Sequence, residues 1–285
     1  MESSLKVLSV KRIASRHNRP QAKLASDLGE AISHDDIAVH FQPQYDLCSG
    51  RAVGVEALAR WVRLDGRVTP PSSFIPVAER FGMIGAIGVS VLYQACATLC
   101  EWTAAEQSAP LLCVNVSALQ LTEEFGAVLA GILELTEFPG ERLELEVTET
   151  SSISNLSRTA LILAQCRRQG VRIALDDFGT AYSGFAYLAQ LPIDRLKLDQ
   201  SFVQAMENNR KAAAIVRSVI ALGSDLNIDV LAEGIETERQ LEMLIAMGCP
   251  QGQGNLFAQP LPADAARNLM KRPWGSRHAG GLHAA

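Results

Sequence analysis

The sequence lacks any run of about 18 apolar residues, so no membrane-spanning helix is expected in this chain. Its first twenty residues, MESSLKVLSVKRIASRHNRP, are basic but hold no long apolar stretch, which excludes a secretory signal. Six cysteines are present (Cys48, Cys96, Cys100, Cys113, Cys166 and Cys249), without a zinc-ligand spacing. Cys96 and Cys100 lie four apart in a helical-looking stretch and would share a face. The set nevertheless reads as small buried hydrophobes of a protein in the reducing cytoplasm. There is no excess of positive charge either: 26 Lys and Arg stand against 31 Asp and Glu, a net charge of −5. That excludes a broadly basic nucleic-acid surface, so no DNA or RNA polymer is expected as partner. An anionic substrate would need local arginines, lysines or metal ions. No low-complexity block is found.

What is present is a globular composition, 48% hydrophobic and 20% charged over 285 residues, enough to bury a sizeable core. Short β-branched runs (AVHFQPQYDL, AVGVEALARW, LLCVNVS, RLELEVTE, VRIALDDF, IDRLKLD, DVLAEGIE, GQGNLFAQP) alternate with longer amphipathic stretches. The longest of these, PSSFIPVAERFGMIGAIGVSVLYQACATLCEW, reads as one continuous helical pattern. This cadence predicts an α/β fold, a TIM-like (β/α)8 barrel. The connection CSGRA between the first two strands is too short for a crossover helix, so the first strand should run antiparallel, a modification of the regular barrel. The expected organisation is an N-terminal arm over residues 1–21, one domain over 22–268 and a flexible tail over 269–285.

Polar residues recur at one structural address. Glu56, Asn115, Glu146, Asp176, Lys197 and Glu233 each fall at or near the C-terminal end of a candidate strand, where a barrel builds its active site. Singly they are weak: a lone Glu is more often a rim charge, Asn115 a cap, Lys197 an ion-pair partner of Glu233 or Asp199. Together they point to a site. In RIALDDFGTAYSG, Asp176 and Asp177 are adjacent, although neighbouring carboxylates repel and successive strand residues face opposite ways. Hard divalent cations resolve the conflict, and oxygen-only ligands suit Mg²⁺ or Mn²⁺. A carboxylate shared by two ions would hold them about 3.5–4 Å apart, as in two-metal phosphoryl chemistry.

At these residues the chain resembles the EAL-domain family of cyclic di-GMP phosphodiesterases. The signature stands as Glu56-Ala57-Leu58 in VGVEALARW; FQPQYDL, NVS, EVTET, DDFGTAYS, KLD, AEGIET and QGNLFAQPLP occur in the family's order, over residues 22–265. The resemblance implies hydrolysis of cyclic di-GMP to linear 5′-pGpG with two Mg²⁺ or Mn²⁺ ions, Ca²⁺ being inhibitory. It makes Glu56, Asn115, Glu146 and Asp176 ligands of the first ion, with Asp176 bridging to a second held by Asp177 and Glu233. It makes Lys197 the residue that holds or helps activate the attacking water, and Glu233 a general base. Gln42, Arg60, Asp199 and Gln253 become substrate contacts, and Glu149 the brace of the loop beginning at Asp177. It also implies a homodimer, and an upstream sensory domain if the chain is part of a longer protein. Two positions depart from the pattern: Ala181 where the loop usually has Gly, and Asn255 where an aromatic is common. The rival reading is a non-catalytic cyclic di-GMP receptor, but such domains lose the signature Glu, one Asp of the pair or the Lys, and all are present here. A barrel acting on another phosphodiester or a sugar phosphate is the third reading.

Overall fold

A computed structural model describes residues 19–63, 65–103, 110–148, 156–180, 188 and 190–275. The chain divides into two compact units, one made of residues up to Ala38 with Ala59–Ile87, the other of Val39–Leu58 with Gly88 onward. In chain order the helices and strands are α1 (Arg19–Ser33), β1 (Ile37–Asp46), β2 (Ala52–Val62), β3 (Val68–Thr69), α2 (Pro71–Arg80), α3 (Ile84–Thr103), β4 (Leu111–Asn115), α4 (Phe125–Thr136) and β5 (Leu143–Thr148). There follow α5 (Leu156–Arg167), β6 (Arg172–Phe178), β7 (Arg195–Leu198), α6 (Gln200–Ala205), α7 (Arg210–Leu226), β8 (Asp229–Ala232), α8 (Glu238–Ala246), β9 (Gln251–Gly252) and α9 (Ala263–Met270).

In the first unit the end of β2 pairs antiparallel with β3, Trp61 opposite Thr69. Trp61 meets Phe74 of α2 edge to face at 6.2 Å, and the Arg63 guanidinium lies 4.0 Å from the Trp61 ring centroid. The single helical pattern expected from Pro71 onward is broken at Phe81-Gly82-Met83. Gly82 takes φ +73°, a left-handed value that interrupts the helical pattern between α2 and α3.

The second unit is built on the barrel, and the chain is a (β/α)8 barrel with an antiparallel first strand. β2 and β4 through β9 run parallel in sequence order, while β1 closes the ring between β2 and β9, antiparallel to both. The strand expected over GQGNLFAQP is only Gln251–Gly252. Gly254 ends it: a Cβ there would lie 2.2 Å from the Ile235 backbone nitrogen, and the chain then turns through Phe257 N–H to Gly254 O at 3.1 Å. Among the described residues one helix, Ile84–Trp102, is long and apolar enough by length and composition to cross a membrane. Its buried residues Val91, Leu92, Ala95, Cys96, Leu99 and Trp102 recur at helical spacing, one packed face in the fold.

Barrels of this class usually fill their interior with branched apolar side chains. Here the alternate residues Glu144 and Glu146 of β5, in register with Cys113 and Asn115 of β4, are buried, and so are the alternate residues Arg195 and Lys197 of β7. Two polar layers are therefore stacked inside the ring.

The β1–β2 turn is fastened by the segment after α9. Trp274 N–H donates to Gly50 O at 2.7 Å, and its ring stands edge-on to Phe257 at 5.0 Å. Gly50 has φ +67°, and a Cβ there would lie 2.8 Å from the Trp274 carbonyl oxygen. Gly50→Ala is expected to cost about 2 kcal/mol or more from left-handed strain plus contact. Gly66→Ala, with φ +81° and nothing within 4 Å, should show the strain alone. Thermal melts of the two compare them; equal losses would mean the Trp274 contact contributes nothing.

Candidate active site

The centre of the site is Lys197, wholly buried near the C-terminal end of β7. Its Nζ lies 2.7 Å from Glu146 Oε2, 2.8 Å from Glu233 Oε1, 3.3 Å from Asp176 Oδ1 and 3.7 Å from Glu56 Oε1. Three strands and the residue just past β8 thus aim four carboxylates at one ammonium. Asn115, across from Glu146 in the β4–β5 register, donates Nδ2–H to Glu56 Oε1 at 2.6 Å. That orientation leaves its carbonyl oxygen for a cation. Gln253 Nε2 donates to Glu56 Oε2 at 2.6 Å and Glu233 Oε1 at 3.2 Å.

The Asp pair is explained by the backbone. The β6–β7 register shifts between Leu175 and Phe178, and Asp177 takes φ +55°, a left-handed conformation that Asp tolerates better than most residues. Successive side chains no longer alternate there. Oxygens of Asp176, Asp177 and Glu233 all come within 4.8 Å of one another, Asp176 buried and Asp177 exposed. Asp177 N–H also donates to Asp176 Oδ1 at 2.9 Å. A strained conformation that converges charge is typical of functional sites.

The electrostatics is that of an over-filled cage. Burial pushes the Glu146 carboxyl well above the usual range; the charges of Glu56 and Asp176 push it further, against the pull of Lys197. Burial likewise lifts Glu233 to about 8, with Lys197 opposing and Asp176 and Glu56 assisting. Burial works against the charge of Glu56 too, but Lys197 and the hydrogen bonds from Gln253 and Asn115 outweigh it and bring its carboxyl below the usual value. Burial would lower Lys197, yet Asp176, Glu146, Glu233 and Glu56 hold the ammonium well above its usual range.

The residues fit hard cations. Glu146 Oε1 is buried with no hydrogen-bond partner, a lone pair awaiting an electrophile. The donors around it are carboxylate and amide oxygens, the set that Mg²⁺ and Mn²⁺ take. Cys113, Glu144 and Glu146 also approach within 4.8 Å of one another. There the Arg195 guanidinium already supplies the counter-charge, Nη1 lying 2.8 Å from Glu144 Oε1.

The other expected residues make local contacts. Gln42 Nε2 donates to Ala258 O at 3.0 Å, tying β1 to the loop after β9. Asp199 caps α6, its Oδ1 accepting Ser201 N–H at 3.1 Å. Arg60 belongs to the other unit, on the last part of β2, with Nη1 donating to Ala59 O at 2.8 Å. Glu149 and Ala181 lie outside the described residues. The sequence reading missed Gln44, Glu144 and Arg195, which form the layer beneath the site. The period of two in RLELE and RLKL carried the signal for Glu144 and Arg195.

The family model described as EAL domain matches residues 25–260. The bifunctional diguanylate cyclase/cyclic di-GMP phosphodiesterase MucR of Pseudomonas aeruginosa is 37% identical over 246 residues, 86% of this chain and 36% of that protein. A cyclic di-GMP phosphodiesterase of the same organism is 37% identical over 252 residues, 87% of this chain and 43% of its own length. The chain spans about a third of the length of the first curated relatives it matches. Among solved structures, the MucR phosphodiesterase in complex with c-di-GMP superposes with a TM-score of 0.82 at 36% identity, covering 85% of this chain and 99% of that one. The EAL enzyme Bd1971, bound to cAMP and cyclic-di-GMP, gives 0.85 at 31% identity over 95% of this chain and 74% of that one.

Proposed function

The chain belongs to the EAL domain family, and from that premise we propose that it is a cytoplasmic cyclic di-GMP phosphodiesterase producing linear 5′-pGpG. The observation that carries the reading is Lys197 held among Glu56, Glu146, Asp176 and Glu233, with Asp177 turned in beside them. With all five carboxylates ionised, one ammonium leaves a surplus of four negative charges, which two divalent cations would balance. Glu56, Asn115, Glu146 and Asp176 would hold the first cation, and Asp176, Asp177 and Glu233 the second. When bound, such ions neutralise phosphate charge and acidify coordinated water.

The protein's own groups do the rest. The Lys197 ammonium is a donor only, so its role is to orient the attacking water and offset charge building up on phosphorus. Glu233, 2.8 Å from Lys197 Nζ, is the candidate general base: in its ionised form, which Lys197 and a bound cation would favour against burial, it would accept the proton of the attacking water. In-line attack then expels the ribose 3′ oxygen and leaves the phosphate on the 5′ side. Arg60, with its planar fork, is assigned to a phosphate and Gln42 and Asp199 to the nucleotide. Gln253 has both its contacts to Glu56 and Glu233 already made, so we assign it to the carboxylates. A homodimer completes the reading, tested by sedimentation with and without cyclic di-GMP.

The deciding assay incubates purified protein with cyclic di-GMP and Mg²⁺ or Mn²⁺ and follows pGpG by chromatography. Tight binding without product would instead make the protein a receptor. Replacing Mg²⁺ with Ca²⁺ should keep cyclic di-GMP bound while stopping hydrolysis. Ca²⁺ prefers bonds of about 2.3–2.6 Å and looser coordination, which misaligns the attacking water. Equal rates in the two ions would count against cation-assisted attack.

A further inference from the structure

Beneath the carboxylates runs a chain of side-chain amides whose direction is fixed from below. Gln44 of β1 is wholly buried, opposite Gly54, where a Cβ would lie 2.7 Å from Gln44 Oε1. A side chain on Gly54 would have to displace the Gln44 amide from this position. That oxygen lies 3.2 Å from Arg195 Nη1 and 3.4 Å from Cys113 Sγ. A guanidinium donates and never accepts, so the atom facing it has to be the carbonyl oxygen. Gln44 Nε2 therefore points the other way and donates to Gln253 Oε1 at 2.9 Å. With its own oxygen so engaged, Gln253 must turn Nε2 toward Glu56 and Glu233, at 2.6 and 3.2 Å. The opposite amide orientation would set a carbonyl oxygen against two carboxylates. Arg195 itself is anchored by Glu144 Oε1 at 2.8 Å, and Glu144 Oε2 accepts from Arg172 Nε at 3.2 Å.

We infer that Arg195 and Gln44 are positioning residues: through Gln253 they fix which way a donor points at Glu56 and Glu233, and so preset those carboxylates for a divalent cation. The inference rests on the reading of Glu56 and Glu233 as cation ligands. It gives the lower polar layer a purpose that stability does not supply, since a buried charged layer in a barrel is often no more stable than an apolar one. Neither residue touches substrate or cation; both act through Gln253.

The test is Mn²⁺ binding to the substrate-free protein, read from the electron-spin-resonance signal of the free ion, alongside thermal melting. Gln44→Met keeps the volume but frees Gln253 to turn. It should raise the Mn²⁺ dissociation constant by about tenfold to a hundredfold, the range for residues that orient ligands. Turnover at saturating Mn²⁺ should recover toward wild type. Gln44→Glu, held by Arg195, must accept from Gln253 and so reverses the amide; its loss of affinity should be the larger. If the added charge prevents folding, Gln44→Met decides alone. A role confined to packing would lower the melting temperature and leave the Mn²⁺ affinity unchanged, and that result in folded Gln44→Met overturns the inference. Because binding is read without substrate, a wild type that binds Mn²⁺ but leaves cyclic di-GMP intact sinks only the enzyme reading. A wild type that binds no Mn²⁺ at millimolar concentration sinks the positioning role.

Discussion

Glu56→Ala is expected to lower the rate of cyclic di-GMP hydrolysis by about a thousandfold or more, roughly 4 kcal/mol of transition-state stabilisation. Glu56 is the signature residue, and the geometry explains why it cannot be spared. Its two oxygens take Asn115 Nδ2 and Gln253 Nε2, each at 2.6 Å, and Lys197 Nζ lies 3.7 Å away. Those partners hold its carboxyl below the usual range despite burial, so it is the charged anchor of the cluster at neutral pH. Its removal takes away a proposed ligand and unties both amides together.

The fold should survive the substitution, because Glu56 also raises the cost of charging Glu146 and Glu233. Losing that repulsion offsets the two orphaned donors, and the melting temperature without metal should move by only a few degrees. Rates at saturating Mg²⁺, with melting measured on the same preparation, check both halves. A purified variant keeping more than about a tenth of the wild-type rate would contradict the role given to Glu56.

The barrel and the strand-end residues were legible because they rest on spacing. Six polar residues at corresponding ends of six β-runs needed only the rule that those ends converge. The antiparallel first strand followed from the five-residue connection. What the sequence hid were conformations with no periodic signature. Asp177 joins Asp176 and Glu233 only because its φ is positive and the register slips beside it; alternation alone sends it to the opposite face. The break at Gly82 is similar, one left-handed glycine inside an unbroken helical pattern. The strand expected over GQGNLFAQP stops at Gly252 because Gly254 lies against Ile235, a contact from another part of the chain. Gln253 is the instructive residue. The resemblance makes it a substrate contact, and the structure adds what spacing could not show, that its Nε2 donates to Glu56 and Glu233 from a site only 4% exposed.

Lys197→Met should have the second large effect, and its signature should differ from that of Glu56→Ala. The ammonium is a proposed participant in orienting water, so hydrolysis should again fall by about a thousandfold. Cation binding should not fall with it. Lys197 Nζ sits 2.7 Å from Glu146 and 2.8 Å from Glu233, repelling any divalent ion those carboxylates would hold. A neutral side chain removes that repulsion, and the Mn²⁺ dissociation constant should stay level or drop. Stability should respond in the opposite sense. Without metal, the buried carboxylates lose the Lys197 counter-charge, a loss of about 3–5 kcal/mol when a partner of a buried pair is removed, softened by proton uptake. Added Mn²⁺ restores the missing positive charge, so the rise in melting temperature on adding Mn²⁺ should be larger in Lys197→Met than in the wild type. A variant that hydrolyses at the wild-type rate would remove Lys197 from the chemistry. One that Mn²⁺ stabilises no more than the wild type would mean that ammonium and cation do not share the same carboxylates.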